Sequence, residues 1–212
     1  MNKGCNMKLS ALFETCLHIP YETVGETANY ALKRAGKTLY LFFQGSDGAT
    51  DWKNNLDFPL KAHKRKGDRT WFAHRGFLKV WKEIEPYLAK DIADPYFQEI
   101  VVVGYSHGGA IASLCFEYIW FHRPDLRGKT TGYGFGSPRV FWGIKGKRIR
   151  QRWKGFSVVR NLDDLVTHMP PAFLGYSHVG ELLEIGEQGK YTRIEAHFAD
   201  NILRELLIYE KT

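Results

Sequence analysis

Four β-branched residues run into a glycine-flanked serine and then into a stretch suited to a buried helix. The order is Ile100-Val101-Val102-Val103, then Gly104-Tyr105-Ser106-His107-Gly108, then Gly109-Ala110-Ile111-Ala112-Ser113-Leu114. A G-x-S-x-G segment between strand and helix is a nucleophile elbow, whose turn lifts the serine hydroxyl above the sheet edge. Larger residues at positions 104 and 108 would collide with the neighbouring strand and helix. The turn also aims the N-terminus of the following helix at any negative charge forming nearby. Five letters alone describe equally well a Gly/Ser turn that merely packs a helix on a sheet. The strand before and the helix after favour the elbow.

The rest of the chain alternates strands and helices. Thr38 to Phe43 is an aromatic-rich apolar run and reads as a central strand. Phe77, Val80, Trp81, Ile84 and Leu88 recur at helical spacing, and Gly109 to Phe121 continues the elbow helix. Thr131 to Gly136 reads as a strand rich in small residues, hence close-packed. Phe156 to Arg160 and Leu182 to Ile185 read as later strands, and Ala196 to Tyr209 as a terminal helix. Such interleaving predicts a mainly parallel sheet flanked by helices, with active groups beyond the carboxyl ends of the strands. The 212 residues suit one domain over 1–212, with no repeat or linker to divide them.

No apolar run approaches the roughly 18–20 residues that span a bilayer. Met7 to Phe13 begins like a signal peptide, but Glu14 and His18 interrupt it and no A-x-A-like site follows. A cytoplasmic location is the expectation, with secretion left open and Met1 and Met7 both candidate starts. Cys5, Cys16 and Cys115 lack metal-type spacing and make no disulfide framework, although Cys5 and Cys16 could pair. Cys115 reads as a small core residue.

Net charge is +7, from 30 Lys+Arg against 23 Asp+Glu, and the excess is clustered in Lys61 to Lys66 and Lys145 to Lys154. Both runs read as solvated loops or helix faces. The functional alternative is peripheral contact with an anionic membrane. No nucleic-acid-binding pattern supports a nucleic-acid partner.

A serine hydroxyl is a poor nucleophile at neutral pH and needs a base, and the base needs an anion to orient it. In α/β hydrolases these partners follow the serine in the order acid, then histidine. Asp163-Asp164 stand just past a strand end, whereas Asp125 sits in a helix-ending turn. Downstream histidines are His168, His178 and His197. His168 is too near the acid and suits a pocket rim. The pattern leaves His197 and His178 both open. The oxyanion donors would be the N–H of His107 and a group in Gln44-Gly45-Ser46, after the first central strand.

Together these segments resemble the fungal-type class 3 lipases of the α/β-hydrolase superfamily. The likeness runs from about Leu39 to the terminal helix. Phe43-Gln44-Gly45-Ser46 is similar to the family's F-R-G-[ST], and Asp51-Trp52-Lys53-Asn54-Asn55-Leu56 to its D-W-x-x-[DN]-L. His74-Arg75-Gly76-Phe77 matches H-x-G-F, and Gly104 to Gly109 stands for G-H-S-L-G-G. Phe135-Gly136-Ser137-Pro138-Arg139-Val140 resembles [FY]-G-x-P-R-V. Asn161 to Val166 with Pro170-Pro171 resembles N-x-x-D-x-V-P-x-[LM]-P-P, and His178-Val179-Gly180-Glu181 resembles H-x-G-x-E.

The resemblance implies a Ser106-Asp164-His197 triad, oxyanion donors at Ser46 and His107, and a substrate pocket near Trp52, Tyr105 and His178. It implies ester hydrolysis through an acyl-enzyme on an acyl ester or lipid, with no cofactor and no metal. Phospholipase A1-like, feruloyl esterase-like and idle membrane-binding variants are the alternatives. His107 and Tyr105 depart from the family's leucine and histidine, making the pocket wall more polar. Asp47 to Thr50, where the resemblance puts the lid, is short and polar, so the expected fold is compact with a small or absent lid.

Overall fold

The computed structural model describes residues 7–25, 28–44, 60–63, 71–144 and 146–212. Its centre is a seven-stranded sheet. In chain order the strands are β1 (Glu22–Val24), β2 (Ala28–Ala35), β3 (Thr38–Gln44), β6 (Glu99–Tyr105), β7 (Thr130–Phe135), β9 (Phe156–Asn161) and β11 (Glu181–Ile185). They lie side by side in that order. From β3 to β11 every neighbouring pair is parallel, and β1 and β2 add an antiparallel edge. This is the mainly parallel sheet flanked by helices that the alternation predicts, in agreement with the α/β-hydrolase fold that the resemblance implies.

Side chains explain the sandwich. Along β6, Ile100 and Val102 enter one core while Val101 and Val103 enter the other. Along β3, Leu39, Leu41 and Phe43 face the first core and Phe42 the second. Successive strand residues point to opposite faces, so a strand covered on both sides reads as one continuous apolar run. The first core is closed by α2 (Arg75–Ala93) and α3 (His107–His122). The second is closed by α1 (Leu9–His18) and α5 (Ala199–Tyr209), through Leu12, Phe13, Cys16, Ile202 and Leu206. Residues 108–119 of α3 are all buried, as an apolar helix between sheet and α2 must be. Buried Ser10 donates its Oγ to Glu210 Oε2 at 2.6 Å, tying α1 to the end of α5.

A second, antiparallel sheet joins β4 (Leu60–His63), β5 (Trp71–His74), β8 (Phe141–Trp142) and β10 (Tyr176–Ser177) in the order β10-β8-β5-β4. The first basic run therefore opens in a strand, β4, with Lys61 exposed.

Residues 9–18, which the sequence analysis assigns to no element, form α1, packed on the sheet. Two expectations change. The second basic run is only partly solvated. Lys147, Arg148 and Arg150 lie on a short helix, α4 (Lys147–Arg150), but Arg152 and Trp153 are buried. Arg152 Nη1 bonds to Glu117 Oε1 of α3 at 3.2 Å, and Trp153 Nε1 donates to Ser113 O. The terminal helix begins at Ala199 rather than Ala196, because Phe198 is extended and separates α5 from a 3-10 turn at Glu195–His197. Cys16 and Cys115 are buried thiols in no disulfide among the described residues, and Cys5 lies outside those residues.

The elbow glycines fix how close strand and helix come. A Cβ on Gly104 would sit 2.1 Å from Gly108 O, and one on Gly108 would sit 2.0 Å from Phe43 O. Both obstacles are backbone and neither can rotate away. Gly104→Ala is expected to lower the unfolding free energy by about 3 kcal/mol or more, read from the urea midpoint. Leu207→Ala, at a half-exposed site on α5, should stay within about 0.5 kcal/mol.

Candidate active site

Ser106 is the one non-glycine among the described residues with positive φ, at φ 54° and ψ −122°. An L-residue held there stores strain, and the surroundings must impose it. They do so from three sides. Ser106 N donates to Phe135 O of β7 at 2.9 Å, Gly104 and Gly108 admit the backbone of α3 and β3, and α3 starts at the next residue. Ser106 is the N-cap of α3, yet its hydroxyl does not cap the helix. The hydroxyl turns outward instead, 2.8 Å from His197 Nε2.

The other face of that imidazole meets Asp164, with Nδ1 2.9 Å from Oδ2. A carboxylate can only accept, so Nδ1 carries the proton and Nε2 is left to accept from Ser106 Oγ. Asp164 is fully buried, and its second oxygen accepts from Val166 N at 2.9 Å. Serine, imidazole and carboxylate thus form one continuous hydrogen-bonded line, drawn from residues up to 91 positions apart.

The ends of β6, β7 and β9 hold these three groups. Asp164 N donates to Asn161 O as β9 ends. Buried Asn161 sends its Nδ2 to Ala196 O at 2.9 Å, fastening the turn that carries His197. Tyr105, the last residue of β6, donates its hydroxyl to His197 O at 2.7 Å and stacks its ring on the imidazole at 5.4 Å. Burial, followed by the charges of Asp164 and Asp200, pushes that phenol well above the usual tyrosine range, so it stays a donor. Past β7, a Cβ on Gly136 would lie 2.9 Å from His197 Cε1 and 3.2 Å from Asp164 Oδ2. Only glycine leaves room for acid and base to meet there.

The remaining histidines support the acid rather than joining the line. His178 Nε2 bonds to Thr167 O at 2.7 Å, and Thr167 Oγ1 donates to Asp164 O. Burial pushes the His178 imidazole down to about 4. His168 Nδ1 also bonds to Asp164 O, at 2.9 Å. Asp163 accepts from Gly189 N on the following loop, and Asp125 is paired with Arg123 outside this cluster. Asn161 and Gly136, quoted in the sequence analysis only as parts of matching segments, and the hydroxyl of Tyr105, expected there at the substrate pocket, support the triad here.

His107 is the first residue of α3, and the first amides of a helix have no intrahelical acceptor. Its ring lies 5.2 Å from Phe77, and its buried Nδ1 has no hydrogen-bond partner. Burial, with a smaller contribution from His74, pushes the imidazole down to about 4, so it is neutral at pH 7. Ser46, Trp52 and the Asp47 to Thr50 stretch lie outside the described residues. β3 ends at Gln44, where its backbone lies against the start of α3.

The profile of one family, lipase (class 3), matches residues 40–174. A Rhizomucor miehei lipase is 30% identical over 151 residues, covering 68% of this chain and 41% of the relative. The secreted mono- and diacylglycerol lipase A of Penicillium cyclopium is 30% identical over 167 residues, covering 74% of this chain and 51% of the relative. The chain therefore spans about half the length of these relatives. The solved Rhizomucor miehei triacylglyceride lipase superposes with a TM-score of 0.67 at 26% identity, over 80% of this chain and 66% of that one.

A histidine kept neutral by burial makes stability depend on pH. The unfolded chain protonates His107 and His178 near 6.5, whereas the folded chain does so near 4. Their contribution is complete above about pH 6.5 and is lost as pH falls toward about 4. Melting curves between pH 7 and pH 4 should show this decline, and His107→Leu should shallow it measurably.

Proposed function

Because the chain belongs to the class 3 lipase family, we propose that it is a serine ester hydrolase acting on acyl esters, with Ser106, His197 and Asp164 as its triad. Ser106 Oγ attacks the acyl carbonyl while His197 Nε2 takes its proton. The carbonyl π electrons move to oxygen, and the N–H of His107, with Ser46 from the segment after β3, receives that charge. Collapse expels the alcohol, which takes the proton from His197, and leaves an acyl-Ser106 ester. Water, deprotonated by His197, then releases the acid and regenerates Ser106. Asp164 holds the imidazole in the tautomer that can accept and offsets its positive charge in the transition state.

The observation that carries this reading is the line Ser106 Oγ–His197 Nε2 at 2.8 Å and His197 Nδ1–Asp164 Oδ2 at 2.9 Å, ending on a serine with φ 54°. What supports an acyl glycerol as the substrate class is that the relatives are named lipases and mono- and diacylglycerol lipases. The neutral His107 imidazole adds a polar spot where the family has leucine, which favours short or medium acyl chains over long ones.

Ser106→Ala is expected to abolish hydrolysis of p-nitrophenyl butyrate and labelling by a fluorophosphonate. Asp164→Asn should cost on the order of 10³–10⁴-fold in kcat with the fold retained. Wild-type turnover by Ser106→Ala would end the proposal.

A further inference from the structure

A wide cleft lies far from Ser106. It has a volume of about 730 Å³ and is lined by Glu99, Trp120, Arg127, Lys129, Thr131 and Lys154, among others. Glu99 opens β6, Thr131 lies at the start of β7, and Lys154 precedes β9. The triad stands beyond the opposite ends of these same strands. Six or seven residues at about 3.3 Å each put roughly 20 Å of sheet between the two.

The cleft is cationic, and Lys129 is also drawn to the nearby carboxylate of Asp125. Arg127, Lys129 and Lys154 make no ion pair among the described residues, against one lining carboxylate, Glu99, which accepts from Thr38 Oγ1 at 3.3 Å. Nearby, Asp125 is held by Arg123 through Nε and Nη2. Arg152 behind the cleft is paired with Glu117 and adds no free charge. Arg127 is also pre-positioned. Its Nε donates to Trp120 O at 3.0 Å, and its guanidinium lies 3.7 Å above the Trp120 ring. A guanidinium held in one plane loses little freedom when it binds a phosphate through two N–H groups.

We propose that this cleft binds a soluble polyphosphate-bearing small molecule. Its volume falls within the range of small-ligand sites, roughly 300–1,000 Å³, rather than that of an extended macromolecular groove. Its three cations come from two turns on different walls, so one ligand must carry several negative charges to engage them together. A lipid sheet resting here would face away from Ser106, which makes a free polyphosphate, not a membrane headgroup, the occupant compatible with turnover. The site stands whether or not Ser106 is a nucleophile.

Calorimetric titration of the full chain with sodium triphosphate at low salt tests this. Saturable one-to-one binding is expected, accompanied by a rise in Tm. Lys129→Glu/Lys154→Glu should weaken it by about tenfold or more, since each reversal replaces an attraction by a repulsion. Lys154→Gln should weaken it less. Lys8→Glu/Lys211→Glu, an equal change of net charge at two exposed sites just before α1 and near the C-terminus, should leave it unchanged. Circular dichroism and hydrolysis of p-nitrophenyl butyrate should be unaltered in all variants. No saturable binding, equal loss in the Lys8→Glu/Lys211→Glu control, or binding of phosphoinositide vesicles or poly-glutamate without triphosphate would each overturn the proposal.

Discussion

The whole arrangement depends on a backbone that cannot relax at Ser106. Its φ of 54° costs on the order of 1–3 kcal/mol for an L-residue. That cost is met by packing. Gly104 lies against Gly108, Gly108 lies against Phe43, and the amide of Ser106 is tied to Phe135. Strand, helix and turn are locked at backbone contact, so rotating the serine back to an ordinary conformation would pull α3 off the sheet. The hydroxyl is displayed because the core holds it there.

The acid and base are held by a different principle. Neither sits on a long regular element. Asp164 follows the end of β9 and His197 ends a single 3-10 turn. Their mutual position comes from buried polar bonds between loops: Asn161 to Ala196, Tyr105 to His197, and Leu165 N to Arg193 O. Buried hydrogen bonds are expensive to break because the freed groups have no water to turn to. The two loops therefore behave as one body although 33 residues separate acid from base. Gly136 is the complement of this network, a missing side chain that leaves the space where carboxylate and imidazole meet.

The two edges of the sheet carry opposite electrostatic designs. At the carboxyl edge, the Asp164 carboxylate is buried and hydrogen-bonded, and the imidazoles of His107 and His178 are kept neutral by burial. At the amino edge, cations are left open to solvent around a cleft. The second basic run serves both purposes, since Arg152 is spent inside on Glu117 while Lys154 stays on the surface.

Much of this was legible from the chain alone, and for physical reasons. A strand buried on both faces must be apolar throughout, and a turn pinched between strand and helix must use glycine, so Ile100 to Gly109 declared its structure locally. The α1 helix did not, because Leu12, Phe13 and Cys16 mean little until a sheet face is there to receive them. Nor did Arg152, whose partner lies 35 residues away. Local pattern could offer two histidines and two adjacent aspartates but could not choose among them, and likeness to a family made the choice only by analogy. Distance decided what hydrogen-bonds to what: His197 reaches Ser106 and Asp164, whereas His178 is turned to Thr167. The sequence by itself determined the central parallel strands, the elbow helix and the serine's pedestal, because sterics between near neighbours act over a few residues. The tertiary structure alone decided the proton line, because a hydrogen bond is made or lost within about an ångström and only the folded chain sets that separation.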